Sequence, residues 1–160
     1  MQDMLVRLMD LPDITKVEKQ LLEKEHIVFR RPIPPEKSIV IDWVRDNFSI
    51  NWADETEAAF TNLPTTCFIA QREQSILGFA CFESTAKNFF GPTGVLPSVR
   101  GKDIGKVLLV KSLVALREMG YAYAIIGGVG PVAYYEKTVG AKTIEKSERS
   151  IYQNLLKHPK

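Results

Sequence analysis

The chain is poor in the residues that carry most metal and nucleophile chemistry. Its 160 residues include two cysteines and two histidines. Cys67 and Cys81 have no metal-ligand spacing and fall in strand-like runs, so they read as reduced, buried thiols. His26 and His158 lie far apart, and neither pairs with Cys or Asp in a catalytic pattern. No metal site is expected. No run is long and apolar enough to span a bilayer, and the opening "MQDMLVRLMD" is charged throughout, without a signal-peptide core. A cytoplasmic protein with no membrane partner is expected. Neither sign of charge dominates: the formal net charge is +2, which argues against a nucleic-acid partner. Repeats, linkers and low-complexity segments are also missing, so residues 1–160 read as one domain.

What is present is an alternation of strand and helix patterns. "MLVRLMDL" reads as a first strand, and "ITKVEKQLLEKE" has the apolar spacing of a helix. "IVFRRPIPP" is a short strand stopped by prolines. "EKSIVIDWVRDNF" sets Ile39, Trp43, Val44 and Phe48 on one helical face, and "WADETEAAF" is a further short helix. These helices are expected to form a layer over one side of a sheet. "TTCFIAQ" and "SILGFACFEST" flank a polar turn and form a hairpin. "NFFGPTGVL" is a strand whose Gly91, Pro92 and Gly94 disturb its ladder. A long amphipathic helix runs from Ile104 to Met119, followed by Gly120 as a stop. "YAYAIIGG" is a buried-type strand, "GPVAYYEKTVGA" a short helix opened by Pro131, and "TIEKSERSIYQNLL" supplies one or two closing strands. The fold class is α/β (α+β) with a mixed sheet.

Between the disturbed strand and the long helix lies "GVLPSVRGKDIGK". The first N–H groups of a helix have no internal partner and, with the helix dipole, attract anions. Gly101 and Gly105 let main chain approach closely, while Arg100, Lys102 and Lys106 add positive charge. A phosphate site fits; so does a plain strand-to-helix turn with solvated basic residues. Walker A is excluded because Val107 follows Gly105-Lys106, and the dinucleotide fingerprint lacks its glycine spacing.

"VLPSVRGKDIGKVLL" resembles the acetyl-CoA motif of the GNAT superfamily of N-acetyltransferases, Gln/Arg-x-x-Gly-x-Gly/Ala, with Arg100 first and Gly105 last. "AYYEKTVGA" is similar to the superfamily's second signature, with Tyr135 on its tyrosine. The resemblance covers nearly all of the chain. It implies a mostly antiparallel sheet flanked by helices with splayed central strands. It also implies acetyl-CoA as co-substrate, bound by Gly94, Val95 and Leu96 along the pantetheine arm and by Arg100, Gly101, Lys102, Asp103, Ile104, Gly105 and Lys106 at the diphosphate. Asp103 departs from the motif by replacing its first glycine, and is expected to cap the helix.

Acetyl transfer needs a polarised thioester, a neutral amine and a protonated leaving thiolate. Tyr135 is the candidate general acid, against a reading as a packing aromatic. Tyr134 reads as packing. Glu83 is the candidate group for the acceptor amine, against a reading as a solvated strand-end carboxylate. Strict alternation would put it on one face with Phe79 and Cys81. Asp54 and Glu55 could bind an amine or simply belong to the acidic first turn of a helix. Trp43, Trp52, Phe89 and Phe90 could line an acceptor pocket. The expected acceptor is a small-molecule or peptide amine. Analogy with the superfamily also suggests a homodimer formed through the last strands. A non-catalytic acyl-CoA-binding module of the same fold is the competing reading.

Overall fold

The computed structural model describes all 160 residues, Met1–Lys160. Seven strands form one sheet in the order β2-β3-β4-β5-β6-β1-β7. They are β1 (Met4–Arg7), β2 (Ile27–Arg30), β3 (Cys67–Arg72), β4 (Ser75–Phe82), β5 (Phe89–Val95), β6 (Tyr123–Ile126) and β7 (Lys142–Thr143). The helices are α1 (Thr15–Glu25), α2 (Lys37–Asn47), α3 (Ile50–Ala59), α4 (Ile104–Glu118) and α5 (Val132–Val139). Every strand pair is antiparallel except β5 with β6. The expected mixed, mostly antiparallel sheet is therefore the observed one.

The helices cover both faces of that sheet, not one side as their sequence order suggests. Leu21 of α1 and most of α4 join the larger core. Val40, Ile41 and Val44 of α2 and Ala53 of α3 join a second core against Cys67, Ile69, Phe79 and Cys81. Strand alternation separates the two: on β4, Phe79 and Cys81 point to one face, Ala80 and Phe82 to the other. Both cysteines are buried, unbridged and opposite one another on β3 and β4. The inward face of α2 is shifted by one position from the expected one. Val40 and Ile41 are buried, while Ile39 stands 62% exposed.

Helix α4 organises the larger core. Ile104, Val107, Leu108, Leu109, Leu113 and Leu116 are all essentially inaccessible to solvent. Each such side chain contributes about 1.5–3 kcal/mol by leaving water. Ser112 is buried among them, and its hydroxyl donates to the Leu108 carbonyl at 2.7 Å, so no polar atom is stranded. The helix ends where expected, and Gly120 takes φ 105°.

The closing segment differs from expectation. Only Lys142–Thr143 forms a strand, beside Met4–Leu5 of β1; the rest folds as turns. The reason is a side-chain junction at Asp3. Its carboxylate accepts from Ser150 Oγ and from the Gly128 N–H (2.9 Å), and its own N–H donates to Ser147 Oγ at 2.8 Å. These bonds draw the tail across the end of β6 and away from extended pairing. Pro131 likewise stands just before α5, at its N-cap, not within the first turn.

Candidate functional site

The splay between β5 and β6 creates the site. Their parallel pairing is limited to Phe89 with Ile125 and Phe90 with Ile126. From Gly91 onward, β5 keeps its ladder with β4 but has no strand on its other edge. Backbone groups there can grip an amide-bearing chain. A cleft of about 1800 Å³ opens along this edge.

At one end of the cleft stands the start of α4. None of the main-chain N–H groups from Gly101 to Lys106 donates to a protein acceptor; the first bond of the helix is Val107 N–H to the Asp103 carbonyl, 3.1 Å. The left-handed Gly101 (φ 84°) and Asp103 (φ 68°) turn this chain so that successive amides can converge on an anion. A Cβ built on Gly105 would meet nothing closer than 3.6 Å. The protein itself thus leaves room for a side chain there. Arg100 and Lys106 line this end, as does Lys137 of α5.

Asp103 does not cap the helix as expected. It occupies the N-cap position, but its carboxylate accepts no cap bond. Side-chain capping needs an extended backbone, and the left-handed one here directs the carboxylate elsewhere. The helix N–H groups therefore remain free. Lys102 and Leu96 stand outside the cleft lining. The Lys102 ammonium pairs with Glu25 at 3.0 Å, and the Leu96 N–H donates to the Leu77 carbonyl at 2.9 Å. Gly94, Val95, Arg100, Gly101, Asp103, Ile104, Gly105 and Lys106 do line it.

Tyr135, on α5, lines the cleft, its ring edge-on to Phe90 and Tyr134. Its hydroxyl makes no hydrogen bond to protein, and burial pushes its pKa up to about 12. Tyr134, read from sequence as packing alone, lines the cleft as well. Its hydroxyl lies 3.7 Å from the position a Gly105 Cβ would take, and its pKa is raised by burial and then by Asp103. No sequence signal marks it, because helical phase alone does not say which turn of α5 faces α4.

Glu83 does not reach the cleft. It takes φ 57° directly after β4, which breaks the alternation that would have aligned it with Phe79 and Cys81. Its carboxylate accepts from the Tyr121 hydroxyl at 2.7 Å and from the Asn88 N–H at 3.1 Å. Both oxygens are thus occupied in holding the 83–88 loop. Asp54 and Glu55 of α3 do line the cleft, and Glu55 is the one held by a hydrogen bond. It lies in the middle of α3, not in its first turn, with the Thr85 hydroxyl donating to it at 2.7 Å. Burial raises its pKa, with the Thr85 bond opposing. Trp52 and Phe90 line the cleft, whereas Trp43 packs against Phe48 and Phe79. Phe89 lies over Gly127, where any Cβ would fall within 2.9 Å of its ring.

The seven-stranded sheet thus parts between β5 and β6, beside a helix start whose amides have no protein partner. A sequence model described as the acetyltransferase (GNAT) family matches residues 38–141. The chain belongs to that family. No curated protein sequence matches significantly. Among solved structures, the chain resembles a glucosamine N-acetyltransferase region of a fungal multi-domain β-N-acetylglucosaminidase, with TM-score 0.72 at 17% identity over 89% of this chain and 19% of that one. It also resembles a GCN5-related N-acetyltransferase from Sphaerobacter thermophilus, with TM-score 0.68 at 18% identity over 89% of this chain and 48% of that one. A third is a GNAT family acetyltransferase from Brucella melitensis in complex with acetyl-CoA, with TM-score 0.56 at 18% identity over 74% of this chain and 87% of that one. The chain thus spans less than half the length of the first two. At these identities the likeness is one of fold. No helix is long and apolar enough to cross a membrane.

Proposed function

We propose that this chain transfers an acetyl group from acetyl-CoA to a primary amine by direct attack, with Tyr135 as general acid. The carrying observation is the run of unpartnered amides from Gly101 to Lys106, opening into the same cleft as the free β5 edge and the Tyr135 hydroxyl. The diphosphate would dock on those amides, with Arg100 and Lys106 adding charge. The pantetheine arm would run along Gly94 and Val95 in place of the missing strand. That leads the thioester toward Tyr135. With its pKa near 12 the phenol holds its proton at neutral pH. The burial that raises the phenol also raises the proton affinity of a thiolate released beside it, so the two stay matched. Glu83 takes no part in this scheme, because its carboxylate accepts from Tyr121 and Asn88 outside the cleft.

Titration calorimetry with acetyl-CoA, followed by thiol release against a panel of primary amines, tests the reading. Saturable binding with amine-dependent release supports it; no binding overturns it. The second reading, an acyl-CoA-binding module without turnover, draws on Asp103, which adds a negative charge to the cleft lining at the start of α4 without capping the helix. Binding without release from any amine would favour it. Asp103→Gly should then tighten CoA about tenfold by removing like charge, about 1.4 kcal/mol.

A further inference from the structure

We infer that Glu55 receives the acceptor: its carboxylate holds the incoming alkylammonium and takes its proton before the nitrogen attacks. This rests on the transferase reading above. Helix α3 buries Ala53, Thr56 and Ala59 against the sheet and turns Asn51, Trp52 and Glu55 into the cleft. Ser49 Oγ accepts from the Trp52 N–H at 3.1 Å, which fixes the start of the helix and so the direction of that face. One Glu55 oxygen, Oε1, takes the Thr85 hydroxyl at 2.7 Å. The other has no hydrogen-bond partner, and no Lys or Arg forms an ion pair with Glu55.

A half-buried carboxylate without a cation is costly unless something supplies one. The basic side chains lining the cleft, Arg100, Lys106 and Lys137, belong to α5 or to the approach and start of α4. The end at α3 and the tail carries Asp54, Glu55 and Glu148 instead, and Glu148 is held by the Gln2 amide at 2.8 Å. An acceptor entering at this end as an ammonium would meet Glu55 as the fixed, partly desolvated carboxylate. Burial favours the protonated form of that carboxyl, which makes it a better base than a solvated glutamate. Tyr152 stands across from it, its own pKa pushed up to about 12 by burial and then by Glu55.

The protons balance. Glu55 takes one from the ammonium and later releases it to solvent. The free amine forms the C–N bond as the C–S bond breaks. Tyr135 protonates the departing sulfur, and the proton shed by the new amide nitrogen restores the phenol. The net reaction releases one proton per acetyl transferred.

A merely structural Glu55 would tie the loop at Thr85 to α3, and glutamine would do that equally well, since its carbonyl accepts the same hydroxyl. Glu55→Gln separates the roles. With butylamine and 1,4-diaminobutane as acceptors, the variant should keep CoA affinity within about threefold yet lose about 100-fold or more in amine kcat/KM, with Glu55→Asp restoring part of it. Thr85→Val, which leaves the carboxylate but frees it, should lose about tenfold. If Glu55→Gln matches the native kcat/KM within about threefold, Glu55 has no such role and the transferase reading stands. If the native chain binds CoA but acetylates none of the panel of primary amines, the transferase reading falls, and this one with it.

Discussion

The ring of Phe48 occupies the place where any side chain at Gly94 would begin: a Cβ on Gly94 would lie 2.5 Å from Phe48 Cζ and 2.6 Å from Cε1. Phe48 in turn packs on Trp43, Trp52 and Phe79, with centroids 5.4 to 5.6 Å away. The strand that borders the cleft and the helices beneath it are thus registered through one missing methyl. Gly94→Ala should cost about 1–3 kcal/mol by overpacking. Phe48→Leu alone should also destabilise, but the double variant should recover part of the Gly94→Ala loss. Thermal unfolding of the four proteins would give the coupling, and additive losses would show that the two residues do not share that space.

Gly105 offers the opposite case. The protein leaves room for a Cβ there, and alanine is a better helix former than glycine. Gly105→Ala should leave the melting temperature unchanged or slightly higher while weakening CoA binding more than tenfold, because the methyl would enter the diphosphate space. Calorimetry on the variant measures both. Unchanged affinity would place the diphosphate elsewhere.

Tyr135→Phe removes a hydroxyl that bonds to nothing in the protein. Folding should therefore be spared and CoA affinity kept within about threefold, while kcat falls about 10²- to 10⁴-fold. Tyr134→Phe serves as the contrast. Its hydroxyl is beside Gly105, so its loss should appear in CoA affinity before kcat.

Glu36 predicts an acid-side weakness. The Arg30 guanidinium grips its carboxylate, with NH1 to Oε1 at 2.8 Å, and the Ile33 N–H adds a bond at 2.8 Å. Its pKa falls from 4.5 to about 2. A depressed carboxyl stabilises the fold above its unfolded pKa, and that contribution is lost as pH falls through the folded one. The native melting temperature should therefore drop between about pH 5 and pH 2 more steeply than that of Glu36→Gln. At pH 7 the variant should be the less stable of the two. Parallel curves would show that the pair contributes nothing.

Sequence alone determined the family and most of the elements. Hydrophobic period marked α4 and the β3–β4 hairpin, and the order of the Arg100–Gly105 loop and Tyr135 signature marked the cleft, because such signals are local along the chain. What it left open depends on backbone angles and on which distant segments meet. The left-handed turns at Asp103 and Glu83 reversed where two carboxylates point, removing the cap and taking Glu83 from the cleft. The Asp3 junction drew the tail into turns instead of strands, through bonds to Ser147 and Ser150 far along the chain. Glu55 joined the site only because α3 packs beside the splayed strand, and a residue's distance from a cleft is set by packing between elements, which no local pattern of residues encodes.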